Sequence, residues 1–224
     1  MVSHELKAPV AAVYGYLKLF ADGTIPLTEN QKQNYISRSQ IRLDGLLKMV
    51  NDLLDFSRME METVSREIKE IDLCEIIKSI SELFQLEIKK KNLKLDVRFE
   101  ESIHSLHSDK DEINRLLTNL LSNAIKYNRT GGTIGINVLS SSPYVIIEVK
   151  DSGIGMKPEE KAKLFTEFFR AKNEMTKDIS GTGLGLSIVK RIVDAYSGKI
   201  EVQSKYGEGT SIKIFLPAGI VHSA

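Results

Sequence analysis

The sequence is poor in several features that would point to a particular environment or partner. It has one cysteine, Cys74, so it cannot form an internal disulfide, and a reducing cytoplasm suits it best. No apolar run approaches the roughly 20 residues that a bilayer span needs, and no signal peptide is visible. The formal net charge of +1 indicates no basic face for nucleic acid. What remains is an ordinary globular composition, 42% hydrophobic and 27% charged, in 224 residues that suffice for one large domain or two modest ones.

The first part of the chain, to about residue 62, has two long helical patterns and no strand-like alternation. In the first pattern, apolar residues recur at spacings of four and three and stay within a stripe roughly 80° wide: Leu6, Val10, Val13, Leu17 and Phe20. In the second pattern, apolar residues seven positions apart are Ile36, Leu43 and Val50. Thr28 is predicted to cap the second helix ahead of Glu29. Because such a hairpin buries only one stripe per helix, we expect two copies to pair as a homodimeric four-helix bundle.

From about residue 67 the pattern changes to alternating strands and helices. Helical stretches are predicted near 73–91, 109–127 and 184–197, and strands near 93–99, 133–139, 144–150, 199–204 and 210–216. Strands that follow one another directly imply hairpins, so the sheet should be mixed. The predicted fold class is an all-α helical hairpin followed by an α+β sandwich, with helices on one face of the sheet. We predict domains at 1–66 and 67–224, and we expect the stretch 152–182 to be a functional lid or disordered.

His4 is the first candidate for chemistry. On the first helical pattern it points roughly 160° away from the apolar stripe, so its side chain should face solvent rather than the core. An inert surface histidine is one interpretation. The other is a reactive histidine, because Glu5 can accept a proton from one imidazole nitrogen and leave the other with a lone pair for attack. Since the helix is already under way at Met1, we expect a sensor segment upstream in the parent protein, which could be membrane-bound.

The predicted helix near 109–127 has two distinct faces. Its apolar residues lie within about 100° of one another: Ile113, Leu117, Leu120, Leu121 and Ala124. Asn119, Asn123 and Lys126 cluster within roughly 60° on the opposite side. Two asparagines one turn apart can offer amide oxygens to a hard cation such as Mg²⁺, and Lys126 can reach a phosphate oxygen. The alternative interpretation is a polar face that is merely solvated.

Two glycine-rich motifs follow this helix. Asp151-Ser152-Gly153-Ile154-Gly155 comes directly after a predicted strand, where an aspartate can accept a hydrogen bond from an exocyclic amine such as that of adenine. By itself, this motif is also a common turn. Gly181-Thr182-Gly183-Leu184-Gly185 leads into an amphipathic helix, whose first N–H groups and dipole can cradle an anion. Its context is not that of a Rossmann fingerprint, and no Walker motif is present.

The order of these motifs carries a family resemblance. Ser3-His4-Glu5-Leu6-Lys7-Ala8-Pro9 resembles the H-box of sensor histidine kinases. The N, G1, F and G2 boxes of the same family resemble, in this order, Asn119…Asn123, Asp151-x-Gly153-x-Gly155, Phe165…Phe168-Phe169-Arg170 and Gly181-x-Gly183-x-Gly185. The resemblance covers essentially the whole chain. It implies the Bergerat (GHKL) ATP-binding fold that Hsp90, MutL and gyrase share.

The resemblance also implies a role for each matching residue. His4 would be the phosphoacceptor, Glu5 its base, and Arg170 the lid arginine that approaches the γ-phosphate of ATP. Asn123 would bind Mg²⁺, with Asn119 assisting at the metal or its waters. The remaining nucleotide contacts would come from Lys126, Tyr127, Asp151, Gly153, Gly155, Gly181, Thr182, Gly183, Leu184, Gly185 and Thr210.

The activity that this resemblance implies is autophosphorylation of His4 from Mg-ATP, followed by transfer to an aspartate on a response regulator receiver domain. We expect no nucleic acid partner, and membrane association only through a sensor segment outside this chain. One rival function is an ATP-driven clamp, but clamps of this fold carry a glutamate as general base where this chain has Asn119. The other rival is a non-catalytic, nucleotide-binding scaffold.

The resemblance also implies that three phenylalanines would pin the lid: Phe165, Phe168 and Phe169. Ordinary packing explains these residues equally well.

Overall fold

The computed structural model of the chain describes residues 2–22, 27–60, 66–100, 105–171, 175–176, 179 and 181–219. It consists of two compact units, which are residues 1–62 with 180–182 and residues 63–179 with 183–224. The domain boundary between residues 66 and 67 stays a prediction. None of the described helices combines the length and the apolar character that crossing a bilayer would take.

The first unit is a pair of long helices, α1 (Val2–Asp22) and α2 (Glu29–Glu60). The start of α2 is capped as predicted. The Gln31 backbone N–H donates to Thr28 Oγ1 at 3.3 Å, and the Thr28 backbone N–H donates to Gln31 Oε1 at 2.9 Å. This reciprocal arrangement is a capping box, which satisfies N–H groups that the first helical turn leaves without partners.

The apolar stripes of this unit are largely uncovered within one chain. Val13 is buried, whereas Val10 and Leu17 on the same stripe are 50% and 57% exposed. Several apolar positions of α2 are also exposed, among them Ile36, Leu43, Leu47, Val50 and Leu54. The two helices meet through aromatic rings, with Tyr16 and Tyr35 stacked at a centroid distance of 5.0 Å. A single hairpin therefore leaves much apolar surface in water, which is unfavourable by about 25 cal/mol per Å².

The second unit alternates short strands and helices. In chain order its elements are β1 (Lys69–Asp72), α3 (Leu73–Leu83), α4 (Gln85–Lys90), β2 (Lys94–Phe99), β3 (Ser105–Ser108), α5 (Lys110–Lys126), β4 (Thr133–Ser141), β5 (Tyr144–Asp151), α6 (Pro158–Lys161), α7 (Gly185–Ala195), β6 (Lys199–Lys205) and β7 (Gly209–Pro217). The helical stretch predicted over 73–91 is interrupted at Phe84. Three elements that were not predicted, β1, β3 and α6, are each only four residues long.

The main sheet has five strands in the order β2-β4-β5-β7-β6. β2 and β4 are parallel, while the other neighbours are antiparallel, so the predicted mixed sheet is confirmed. β1 and β3 form a separate two-stranded sheet. Alternate residues of β4, β5 and β7 are buried, as a sheet with one covered face requires.

Helices α5 and α7 supply much of the apolar layer of this core. The predicted inner face of α5, represented by Ile113, Leu117 and Leu121, is at most 2% exposed. On α7, Ile188, Val189 and Val193 are equally buried. The inner faces of both helices lie in the core. The polar residues on the opposite face of α5 and at the start of α7 are therefore available for a binding site.

Candidate functional site

The polar face of α5 lies beside the beginning of α7. Asn119 and Asn123 are half-buried, one turn apart. The Asn119 Nδ2 group donates to the Arg115 carbonyl at 3.0 Å, which turns the amide oxygen away from its own helix. A Cβ added at Gly185 would lie 2.6 Å from that oxygen. The structure therefore brings Asn119, the first asparagine of the pair, and the last glycine of the Gly181–Gly185 motif together.

Asp151 ends strand β5 in a half-buried position. Burial raises the pKa of its carboxyl group to about 6, and hydrogen bonds from the backbone N–H groups of Gly153 and Thr210 oppose that rise. The Gly153 N–H donates to Asp151 Oδ1 at 2.8 Å. A Cβ at Gly153 would collide with the Tyr127 carbonyl oxygen, so this close approach needs glycine. Four residues predicted for the nucleotide site therefore meet here.

The turn between β6 and β7 closes the same end of the sheet. The Gly207 N–H donates to the Ile154 carbonyl at 2.7 Å. Gly155 lies against the Lys205 carbonyl, and Gly209 lies against the Asp151 carbonyl, both too closely for a side chain. The predicted support of the Asp151 end by Thr210 is consistent with these contacts.

Two residues between α6 and α7 have unusual backbone conformations. Phe168 has φ +58° and Gly183 has φ +74°, both in the left-handed region. A Cβ at Gly183 would lie 2.7 Å from the Phe168 carbonyl carbon, so the two residues are in direct contact. Leu184 is fully buried and precedes the first residue of α7. A bulky residue with positive φ is strained, and such strain is characteristic of functional segments.

Arg170, the predicted lid arginine, is half-buried and donates from Nη2 to the Ile179 carbonyl. An ion pair joins Arg191 Nη2 on α7 to Glu167 Oε1 at 3.1 Å. The segment that contains Glu167 and Arg170 is therefore held by one contact within itself and by one contact to α7.

Some predicted residues are not brought to this site by the structure. His4 and Glu5 belong to α1, but their side chains lie outside the described residues. Gly181 and Thr182 group with the first unit, unlike Gly183 and Gly185. The roles predicted for these residues stay predictions.

A polar cluster behind Asp151 was not predicted from the sequence. Asn128 is buried, and its Nδ2 group donates to the Thr133 carbonyl at 3.0 Å. Its Oδ1 atom accepts from the Arg129 N–H at 3.0 Å and from Ser152 Oγ at 3.4 Å. Ser152 Oγ in turn accepts from the Thr133 N–H at 2.8 Å. The position of Asn128, directly after Tyr127, is the only sequence signal for this cluster.

Lys91, which contacts the C-terminal end of α5, was not predicted as a functional residue either. Its Nζ atom donates to the carbonyls of Ile125 at 2.9 Å and Lys126 at 2.8 Å. Burial lowers the pKa of this ammonium group. A cation here is favoured by the helix dipole and by carbonyl groups that the helix leaves without intrahelical partners.

Comparisons with known proteins agree with this geometry. The family model of the histidine kinase-, DNA gyrase B- and HSP90-like ATPases matches residues 108–220, and that of the His Kinase A (phospho-acceptor) domain matches residues 1–62. The chain is 31% identical to the sensor histidine kinase WalK of Bacillus subtilis over 96% of its own length and 35% of the relative's. It is 33% identical to the autoinducer 2 sensor kinase/phosphatase LuxQ of Vibrio cholerae, over 98% of this chain and 26% of that protein.

A solved structure is also similar. The histidine kinase ThkA, in complex with the response regulator protein TrrA, has a TM-score of 0.77 and 26% identity, with 97% of this chain and 60% of that one covered. The chain spans between 22% and 42% of the length of the curated relatives that it matches.

The chain belongs to the family of histidine kinase-, DNA gyrase B- and HSP90-like ATPases, whose model matches residues 108–220. With the phosphoacceptor domain in front of that ATPase domain, it is the core of a two-component sensor histidine kinase.

Proposed function

We propose that this chain phosphorylates its own His4 from Mg-ATP and passes the phosphoryl group to an aspartate on a response regulator. The observation that carries the proposal is the junction of Asp151, Gly153 and Tyr127 at the end of β5, where Tyr127 directly follows the helix α5 that bears the two asparagines. A half-buried carboxyl group with amide donors on one side is suited to accept from the exocyclic amine of adenine. In this proposal Asp151 recognises the base, and Gly155 and Thr210 shape its surroundings.

The phosphate end of the nucleotide would lie where α5 meets α7. The Asn119 amide oxygen already points at Gly185, and a helix N-terminus with glycines beside it is a general anion site. Amide oxygens are ligands that suit Mg²⁺, so Asn123, assisted by Asn119, would hold the ion. When bound, Mg²⁺ neutralises phosphate charge. Lys126 and Tyr127 would contact phosphate and sugar, and the backbone N–H groups of Gly181, Thr182, Gly183, Leu184 and Gly185 would bind phosphate.

In the chemical step, one imidazole nitrogen of His4 would attack the γ-phosphorus in line. A nitrogen–phosphorus bond forms, the bond to the bridging oxygen breaks, and ADP leaves with that oxygen. Glu5 would accept the proton from the other imidazole nitrogen. Arg170 would approach the γ-phosphate and stabilise its charge, so that catalysis consists mainly of positioning and charge neutralisation.

The partners are part of the proposal. ThkA was solved with the response regulator protein TrrA, and the likeness over 97% of this chain supports a receiver domain as the phosphoryl acceptor. The exposed apolar stripes of α1 and α2 support a homodimer. A sensor segment outside this chain would supply any membrane anchor.

Incubation with γ-labelled ATP tests the proposal. We expect a protein-bound label that acid removes and base does not, and we expect His4→Gln to abolish it while ADP affinity is retained. An ATP-driven clamp would instead release labelled phosphate, and a scaffold would bind nucleotide with no transfer. Either outcome, or a full label on His4→Gln, contradicts the proposed activity.

A further inference from the structure

Arg129 joins two segments that lie far from it in sequence. It is an exposed residue in the connection between α5 and β4. Its Nη2 group donates to the Gly153 carbonyl at 3.1 Å and also to the Gly207 carbonyl. These carbonyls lie 24 and 78 positions further along the chain, one after β5 and the other in the β6–β7 turn. A guanidinium group can contact both because it presents several N–H donors in one rigid plane.

The backbone of Arg129 is held in place from behind. Its N–H donates to Asn128 Oδ1 at 3.0 Å, and the buried Asn128 side chain is itself bound to the Thr133 carbonyl. Arg129 is therefore held at both ends. Asn128 binds its backbone N–H, and the carbonyls of Gly153 and Gly207 bind its guanidinium group.

The two bridged segments are those that supply the hydrogen bonds to Asp151. The Gly153 N–H donates to its carboxyl group at 2.8 Å, and the Thr210 N–H also donates to it. Each donor lies within three residues of a carbonyl that Arg129 holds. The bridge therefore restrains both donors, and with them the orientation of the carboxyl group.

We propose that Arg129 is a positioning residue for recognition of the nucleotide base. It acts through Asp151 by fixing the peptide groups around Gly153 and Gly207. The inference rests on the proposed function, in which Asp151 accepts from adenine. It extends that function by assigning to the α5–β4 connection a part in base recognition.

A double-mutant cycle in ADP binding tests this role, with wild type, Arg129→Ala, Asp151→Asn and the double variant measured by calorimetry. Arg129→Ala should weaken ADP binding by about fivefold to tenfold, as the loss of one charged hydrogen bond at an exposed site would. The ADP affinity of Arg129→Lys should lie between those of the wild type and Arg129→Ala, because an ammonium group is a compact point charge without the planar donor array of a guanidinium group. Since Arg129 acts through Asp151, its removal should cost little more once Asp151 is Asn. In phosphorylation assays, Arg129→Ala should raise the KM for ATP and leave kcat unchanged.

Arg98→Ala is the matched control, because Arg98 is an exposed arginine of the same unit whose contact is with Asp96 on its own strand. It should bind ADP as the wild type does. Additive losses in the cycle, an unchanged ADP affinity in Arg129→Ala, or a loss of kcat would overturn the positioning role. If the wild type itself bound no ADP, the proposed function would fail, and the role of Arg129 would fail with it.

Discussion

At the scale of single residues, Asp151 shows how the site tunes one side chain. Burial alone would keep its carboxyl group protonated at pH values well above the ordinary pKa of an aspartate. The backbone N–H groups of Gly153 and Thr210 offset part of that effect, so the pKa lies near 6 and the group is mostly ionised at pH 7. It therefore remains a hydrogen-bond acceptor while being largely screened from water.

Replacing Asp151 by Asn should weaken the binding of adenine nucleotides without unfolding the domain. The loss of one charged hydrogen bond costs about 1.5–3 kcal/mol, which is roughly a tenfold to hundredfold rise in the ADP dissociation constant. Calorimetry measures it, with the exposed Asp96→Asn as the control. An unchanged dissociation constant would show that this carboxyl group does not recognise the base.

The same pKa predicts how stability depends on pH. Because the native pKa of Asp151 lies above the unfolded value of about 4, its ionisation opposes folding. Its contribution to stability is fully present below about pH 4 and is lost as the pH rises through 6. Over that window the wild type should lose about 2–3 kcal/mol in the free energy of unfolding relative to Asp151→Asn. Urea unfolding at pH 4, 5, 6 and 7 checks this, and parallel profiles for the two proteins would contradict it.

At the scale of elements, helix α5 depends on its two ends. The Asp109 side chain accepts from the N–H groups of Asp111 at 2.9 Å and Glu112 at 3.2 Å, which caps the beginning. Lys91 closes the end through carbonyls of the last turn. Because Asn119 and Asn123 keep their directions only while the helix keeps its axis and rotation, these caps also support the proposed metal site.

Lys91→Met should destabilise the second unit, since it leaves buried carbonyls without their donor. We expect a loss of about 2 kcal/mol in the free energy of unfolding. Thermal or urea unfolding measures the change, and Lys90→Met, on the exposed neighbouring residue at the end of α4, should leave stability nearly unchanged. Equal effects of the two substitutions would mean that the capping contact contributes nothing specific.

At the scale of the whole molecule, the two units obtain their stability differently. The second unit buries its apolar side chains within one chain. The hairpin instead exposes a large part of its stripes, with Leu47 63% and Leu54 51% exposed. A helix pair of this kind gains stability by packing against a second pair.

Sedimentation velocity should accordingly show a dimer whose fraction rises with concentration. Leu47→Asp should shift this equilibrium toward monomer because it places a charge in the apolar stripe. Asn34→Asp should not, because the exposed Asn34 lies roughly 140–180° around α2 from Leu43, Leu47 and Val50. A strict monomer at high concentration, or no difference between the two variants, would contradict the four-helix bundle.

Much of the fold and part of the site were predictable because they depend on local periodicity. The two faces of α5 follow from 3.6 residues per turn, and Gly153, Gly155, Gly183 and Gly185 stand at positions where a Cβ has no room. The strands β1 and β3 were not predicted, because a segment of four residues is too short to show a period. Nor could spacing alone reveal that Phe84 interrupts the helical stretch 73–91.

The sequence by itself determined the kinds of groups in this protein: the phosphoacceptor helix, the asparagine pair of α5, and the aspartate and glycines that follow β5. Only the tertiary structure decided that Lys91 caps α5 and that Arg129 bridges Gly153 to Gly207. The physical reason is that these side chains bind backbone carbonyls. Every residue carries such a carbonyl. The sequence therefore does not indicate which carbonyl a distant lysine or arginine will bind in the folded chain.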